Sequence, residues 1–384
     1  MNIRTDFGRL PVYIWADEIP EEDSLIKTRQ IANVADLPFA VGHIALMADT
    51  HFGNGLPIGC VMAARGAVVP NAVGTDIGCG MQAVRLNVKA DKVQEKINEI
   101  THEITRAIPR GRYGHKNMED HPLFDELPDI FPVKKQLKNM RFQLGTLGGG
   151  NHFIEVQRDE EGFAWLMLHS GSRNLGAQLH KYYNDIARKE NPFNIAEDVR
   201  LCALATDSES GQEYLAAMEF ALRYAKTNRT LMMQRMLNIV GGYFDVGKVK
   251  PFDTCHNFAE LQLFNGEEVL MHRKGAVKAD SLLILPGAMG RSSYICEGLN
   301  NPLAHHSCSH GAGRAMSRGA ATRAFTPDSV KTEVNGLGIV LKAEWKTLPE
   351  EAPGAYKDIE RVVELQADLA RPIHKLTAMA VIKD

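Results

Sequence analysis

A chain of 384 residues, 44% hydrophobic and 24% charged, has the length for a full core and the composition of a globular protein, which excludes global disorder, collagen and coiled coil. Lys plus Arg number 44 against 47 for Asp plus Glu, a net charge of −3, so no bulk positive field marks a nucleic-acid binder and any polyanion must be held by a local patch. No apolar run approaches the roughly 18 residues of a membrane span, and MNIRTDFGRL lacks the apolar heart of a signal peptide, so the expectation is a cytoplasmic protein without membrane contact.

In chain order, strands are expected where short apolar runs occur: Ala45–Met47, Gln82–Val88, Phe153–Val156, Trp165–Leu168, Glu268–Met271, Leu282–Leu285 and Gly338–Leu341. Between them, residues 91–108 place Val93, Ile97, Ile100, Ile104 and Ile108 on one stripe, the pattern of an amphipathic helix ended by Pro109 and Gly111. Residues 213–240 read as a second, longer helix with a Met-rich core face. Segment 110–141 is polar and interrupted by proline, and reads as a surface insertion. The length allows two domains, but strand-and-loop density continues on both sides of that segment. The expected fold class is therefore α/β: a single compact domain over residues 1–384, with mixed sheets flanked by helices.

Almost every expected strand runs into a loop rich in Gly, Asn, Ser or His, and these loops carry the chemistry. Asp76 and Cys79 lie three apart across a glycine, both of metal-ligand type, although such a pair alone is also an ordinary turn. A Gly-rich loop enters a strand through Asn151 and His152; it could cradle a phosphate but lacks the Lys-Ser/Thr ending of a nucleotide P-loop. His169 opens His-Ser-Gly-Ser-Arg173, His256 follows Cys255, and His310 precedes Arg314 and Arg318, which at a spacing of four would share a helix face. Arg106, Arg110 and Arg112, or Arg223, Arg229 and Arg235, could line a basic groove or be solvated surface. The six cysteines form no CxxC pair and read as free thiols, Cys60, Cys202 and Cys296 as small buried hydrophobes. Four His, one Cys and one Asp in glycine-framed loops point to a metal site with a spare imidazole. The corresponding reaction class is metal-assisted chemistry at phosphorus, with Arg holding charge and a His as nucleophile or base.

Taken together, DTHFGNGLPIG (49–59), VGTDIGCGM (73–81), GTLGGGNHFIEV (145–156), LHSGSRNLG (168–176), CHNFAE (255–260), RKGAVKA (273–279), PGAMG (286–290), SHGAGRAMSR (309–318) and PGAYKDI (353–359) resemble the RtcB family of GTP-dependent RNA ligases. The resemblance runs from about residue 29 to Lys383. It implies joining of RNA 3′-phosphate or 2′,3′-cyclic-phosphate ends to 5′-hydroxyl ends, in tRNA splicing or RNA repair. It further implies two Mn²⁺ ions bridged by Cys79, one completed by His169 and His256, the other by Asp76 and His152. His310 would carry the guanylyl group taken from GTP, with Asp49 orienting its ring. Asn151, Glu155, Asn257, Ser293, Ala312, Tyr356 and Lys383 would surround the guanylate, and Arg173, Arg314 and Arg318 would bind phosphates.

The resemblance also implies a monomer acting on RNA and leaves room for an archease-type activator. Two positions depart from the pattern: Ala288 stands where the family usually has Ser, and Ala48 where it usually has Pro. A metal-dependent phosphoesterase that opens cyclic phosphates without sealing is the alternative reading, against which the intact His310 and Lys383 argue.

Overall fold

A computed structural model of the chain describes residues 1–17, 19 and 23–384. Two mixed sheets form its frame. The first has six strands in the order Asn2–Arg4, Val12–Ile14, Ala40–His51, Ile58–Ala64, Glu267–Lys274 and Asn257–Phe264, antiparallel except where Val12–Ile14 runs parallel to Ala40–His51. The second runs Phe252–Cys255, Gly80–Lys89, Phe163–Ser170, Phe153–Asp159, Ala370–Ile382, Ser293–Gly298 and Leu282–Leu285, with Val340–Lys342 added parallel to Ala370–Ile382. Every strand expected from the sequence is present. Several are longer than their apolar runs, because polar residues at their ends still complete the ladder.

Helices cover one face of the larger sheet, and on the other its own strands pack against one another. Val84, Leu86, Ile154, Leu166 and Leu168 meet Ile97, Ile100, Ile104, Met232 and Met236 on one side. Met81, Met167 and Trp165 meet Ile284, Ile295 and Leu376 on the other. Inward residues on adjoining strands thus read as near-continuous hydrophobic runs. The 33-residue helix Glu209–Gly241 is capped by Ser208, whose side chain accepts from the Gly211 N–H, and its Met face is buried as core.

Two expectations change in detail. The helix expected over 91–108 is two helices, Ala90–Glu95 and Ile97–Ala107, jointed at Lys96. The Lys96 N–H returns to the Val93 carbonyl in a tightened final turn, and the Val93–Ile108 stripe stays buried across the joint. Segment 110–141, read as a surface insertion, carries the short helical turns Pro122–Glu126 and Phe131–Lys134. Leu123, Phe124, Ile130, Val133 and Met140 insert from it into the largest hydrophobic cluster, and Pro122 and Pro132 sit at helix starts. Among the described residues, no helix is long and apolar enough to cross a membrane.

Candidate active site

Four neighbouring strands of the larger sheet end on one row. Cys255 pairs with Gly80, Gly80 with Ser170, and His169 with Phe153. Their terminal or next residues are His256, Cys79, His169 and His152, so the antiparallel register alone gathers a thiol and three imidazoles from four distant parts of the chain. The turn before Cys79 adds Asp76: the Cys79 N–H bonds back to the Asp76 carbonyl at 3.1 Å. That turn needs Gly78 at φ +76°, where a Cβ would also come within 2.9 Å of the Ala225 side chain.

The cluster is tight. Cys79 Sγ lies 3.4 Å from His152 Nε2 and 3.2 Å from His169 Nε2; His169 and His256 approach Nε2 to Nε2 at 3.0 Å, and Asp76 Oδ2 is 2.9 Å from His152 Nε2. Two groups of ligand atoms result, each within 4.8 Å, one of Cys79, His169 and His256 and the other of Asp76, Cys79 and His152. Cys79 is common to both. The outward nitrogens of two rings are held by backbone carbonyls, His152 Nδ1 at 2.9 Å from Leu147 and His169 Nδ1 at 3.1 Å from Asn151. Such partners fix the tautomer and aim the Nε2 lone pairs inward, as in metal-ligating histidines.

Burial dominates the electrostatics. It pushes the Cys79 thiol well above its ordinary value, with the Asp76 charge adding to the effect, and pushes His169 and His256 well below theirs. Left alone, the cluster sets a neutral thiol against the neutral rings of His169 and His256, with the buried Asp76 Oδ1 lacking any hydrogen-bond partner. A divalent cation answers each of these features: it deprotonates a coordinated thiol, takes imidazole lone pairs and engages the orphaned oxygen. The residues present therefore fit a metal pair sharing the thiolate. Arg229, read from the sequence as groove or surface, is instead 1% exposed beneath this row, paired with Asp253 and donating to the Gly78 and Ser170 carbonyls.

Next to the cluster, the His310 ring centroid stands 4.8 Å from that of His256, and His310 Nδ1 is 2.6 Å from Asp49 Oδ2. Burial raises the Asp49 carboxyl, but His310, His51 and Lys357 together outweigh it and leave the group below the usual carboxylate value. His310 opens onto a cavity of about 830 Å³, a size suited to a nucleotide. Of the residues expected around a guanylate or its phosphates, Asn151, Glu155, Ala312, Tyr356, Lys383, Arg314 and Arg318 line this cavity, as does Ala288.

Three of the expected contacts do not line this cavity. Asn257 spends its amide on the Asp76 carbonyl and the Gly275 N–H; Ser293 Oγ accepts from Gln157 and the Gly287 N–H; Arg173 is tied to Thr146 Oγ1 and the Gly111 carbonyl. Arg314 and Arg318 do not share a helix face, because Ser317 caps a helix that begins only at Arg318. Burial raises the Glu155 carboxyl to about 7, against the Gln157 amide and the Lys383 charge, which lower it.

The sequence reading missed His51, Phe153, Lys357 and Glu351, all on the same wall. His51 lies within the DTHFG motif, its Nδ1 3.0 Å from the Asp49 carbonyl, and Lys357 donates to the Thr50 carbonyl from the residue after Tyr356. Both sit in motifs already singled out. Glu351 precedes its motif by two residues and reads as one acidic side chain of a solvated pair.

A family model described as tRNA-splicing ligase RtcB matches residues 30–131 and 130–384. The chain is 34% identical over 401 residues to the RNA-splicing ligase RtcB of Escherichia coli, covering 97% of both chains. It is 30% identical to the tRNA-splicing ligase RtcB of Thermococcus kodakarensis, over 98% of this chain and 95% of that one. The RNA-splicing ligase RtcB of Mycobacterium tuberculosis is 29% identical over 92% of this chain and its own full length. With its motifs gathered on one row of strand ends beside a nucleotide-sized cavity, and with similarity running through nearly the whole chain, the protein belongs to the RtcB family of tRNA-splicing ligases.

Proposed function

We propose that this chain is a single-domain, Mn²⁺- and GTP-dependent RNA ligase that joins RNA 3′-phosphate or 2′,3′-cyclic-phosphate ends to 5′-hydroxyl ends, in tRNA splicing or RNA repair. The observation that carries the reading is the position of His310, on the cavity lining with its ring 4.8 Å from that of His256 and Nδ1 2.6 Å from Asp49 Oδ2. A carboxylate on Nδ1 holds the proton there and leaves the Nε2 lone pair free, the requirement for a nucleophilic imidazole.

Cys79 with His169 and His256 would hold one Mn²⁺, and Cys79 with Asp76 and His152 the other. Bound there, the ions would neutralise phosphate oxygens that otherwise repel one another. His310 Nε2 attacks the α-phosphorus of GTP; the new P–N bond replaces the bond to the β-phosphate oxygen, and pyrophosphate leaves. The guanylyl group then passes to an RNA 3′-phosphate, and the 5′-hydroxyl displaces GMP; a cyclic end is first opened to the 3′-monophosphate.

Tyr356 stacks on the base, and Glu155 accepts from the guanine N1–H and amino groups, which an adenine cannot satisfy. Asn151, Ala312 and Lys383 complete the pocket, with Asn257 and Ser293 supporting it from behind. Arg314 and Arg318 meet phosphates, as does Arg173 from the side of the Asp76 turn. The reading extends to a cytoplasmic monomer, acting with or without an archease-type activator.

Incubation with Mn²⁺ and α-labelled GTP tests it. The expected product is acid-labile, alkali-stable label on the protein, absent from His310→Ala, together with sealing of 5′-hydroxyl RNA. Opening of cyclic phosphate with no labelled protein would put a phosphoesterase in its place.

A further inference from the structure

Glu351 ends the short 3-10 turn Leu348–Glu351, and its side chain is buried although its neighbour Glu350 is partly exposed. Four groups assigned above to the nucleotide converge on it. The Tyr356 hydroxyl donates to Oε2 at 2.5 Å and Lys383 Nζ donates to the same oxygen at 3.3 Å. On the other oxygen, Arg314 Nη1 donates to Oε1 at 3.4 Å, and Arg318 Nε stands 3.7 Å away. We infer that Glu351 is a positioning residue for the nucleotide pocket, the carboxylate whose hydrogen bonds set Tyr356 and Lys383 in the geometry the guanylate requires. The inference rests on the GTP reading above and adds to it a residue outside the set drawn from the motifs.

The partners are not equally dependent on it. Arg314 has two backbone acceptors of its own, the Met316 and Glu350 carbonyls, and Arg318 is half exposed. Among the described residues, Lys383 Nζ has only Glu351 as an ion-pair or hydrogen-bond partner, in a side chain 5% exposed. Without the carboxylate, a buried ammonium is left unpaired and must swing toward water in the cavity, where the nucleotide belongs. The Tyr356 ring loses the acceptor that fixes its tilt and keeps the Arg314 guanidinium, which lies over its face and donates to its hydroxyl. Burial alone would raise the Glu351 carboxyl; Lys383 and the Tyr356 hydroxyl reverse this, so the group stands ionised in the ring of cations. Contacts of this kind are made to the bound nucleotide throughout and not only at the transition state, so their loss falls on KM.

The test is the rate of His310 labelling against GTP concentration for wild type, Glu351→Gln and Glu351→Asp, with Tm measured for each. The Gln variant raises the GTP KM roughly tenfold, the size of one charge-assisted hydrogen bond, while kcat moves less than about threefold. The Asp variant, which restores the charge on a shorter arm, falls between the two. An unchanged or lowered KM in the Gln variant, or a loss of Tm and kcat with KM intact, overturns the positioning role and leaves the GTP reading standing. Absence of label on wild type overturns both.

Discussion

At the scale of single residues, burial holds Cys79, His169, His256 and Glu155 away from their ordinary states, and Glu155 shows what that does. Its carboxyl, raised to about 7, is protonated more in the folded chain than in the unfolded one between the ordinary Glu value and 7. The folded state therefore binds the extra proton, and stability contributed by Glu155 is present at low pH and lost as pH rises through that window. Guanine donors need the ionised form. The expected outcome is a GTP KM that rises as pH falls below about 7, and a Glu155→Gln variant that gains Tm at pH 8 relative to wild type while losing its preference for GTP over ATP. Thermal melts and labelling with both nucleotides at pH 6 and pH 8 check the two halves separately. The family resemblance made Glu155 a candidate; its raised pKa comes from the burial that the fold imposes.

Among the elements, what matters is where strands stop. The Gly80–Lys89, Phe163–Ser170, Phe153–Asp159 and Phe252–Cys255 strands each hand one donor to the same row. The loop after Phe163–Ser170 passes so close to the Asp76 turn that a Cβ on Gly171 would stand 2.1 Å from Asp76 Oδ1. Gly171→Ala is therefore expected to push the carboxylate out of the cluster, at a cost of about 1–3 kcal/mol, typical of overpacking. Mn²⁺ affinity should fall in calorimetric titration while the helical circular dichroism stays native; unchanged affinity would show that Asp76 lies outside the ligand set. The apolar runs and the Ile stripe made these elements legible. Arg314 and Arg318 were misread because a spacing of four implies a shared face only inside a helix, and Ser317 starts the helix between them. Arg229 was misread because charge alone suggests solvent, whereas Asp253 and two carbonyls satisfy it inside.

Over the whole molecule, Asp76, Cys79, His152, His169 and His256 tie together chain segments up to 180 residues apart, the span from Asp76 to His256. A cation bound only by the folded chain stabilises it by about 2.7 kcal/mol at a hundredfold excess over Kd, per independent site. Mn²⁺ should accordingly raise Tm and chelation lower it. Cys79→Ala should abolish the whole shift, since both groups lose their common ligand, whereas loss of His256 should spare part of it; differential scanning calorimetry with and without EDTA distinguishes the two. From the sequence by itself came the α/β class, the strands, the residue types of the site and the family resemblance, because these follow from local periodicity and from motifs written contiguously in the chain. The tertiary structure alone decided that five apolar side chains of segment 110–141 pack into the core, that Asn257, Ser293 and Arg173 lie off the cavity lining, and that Glu351 gathers Tyr356, Lys383 and two arginines. Those are outcomes of strand register and of burial between distant segments, and no local pattern encodes which buried charge will face which.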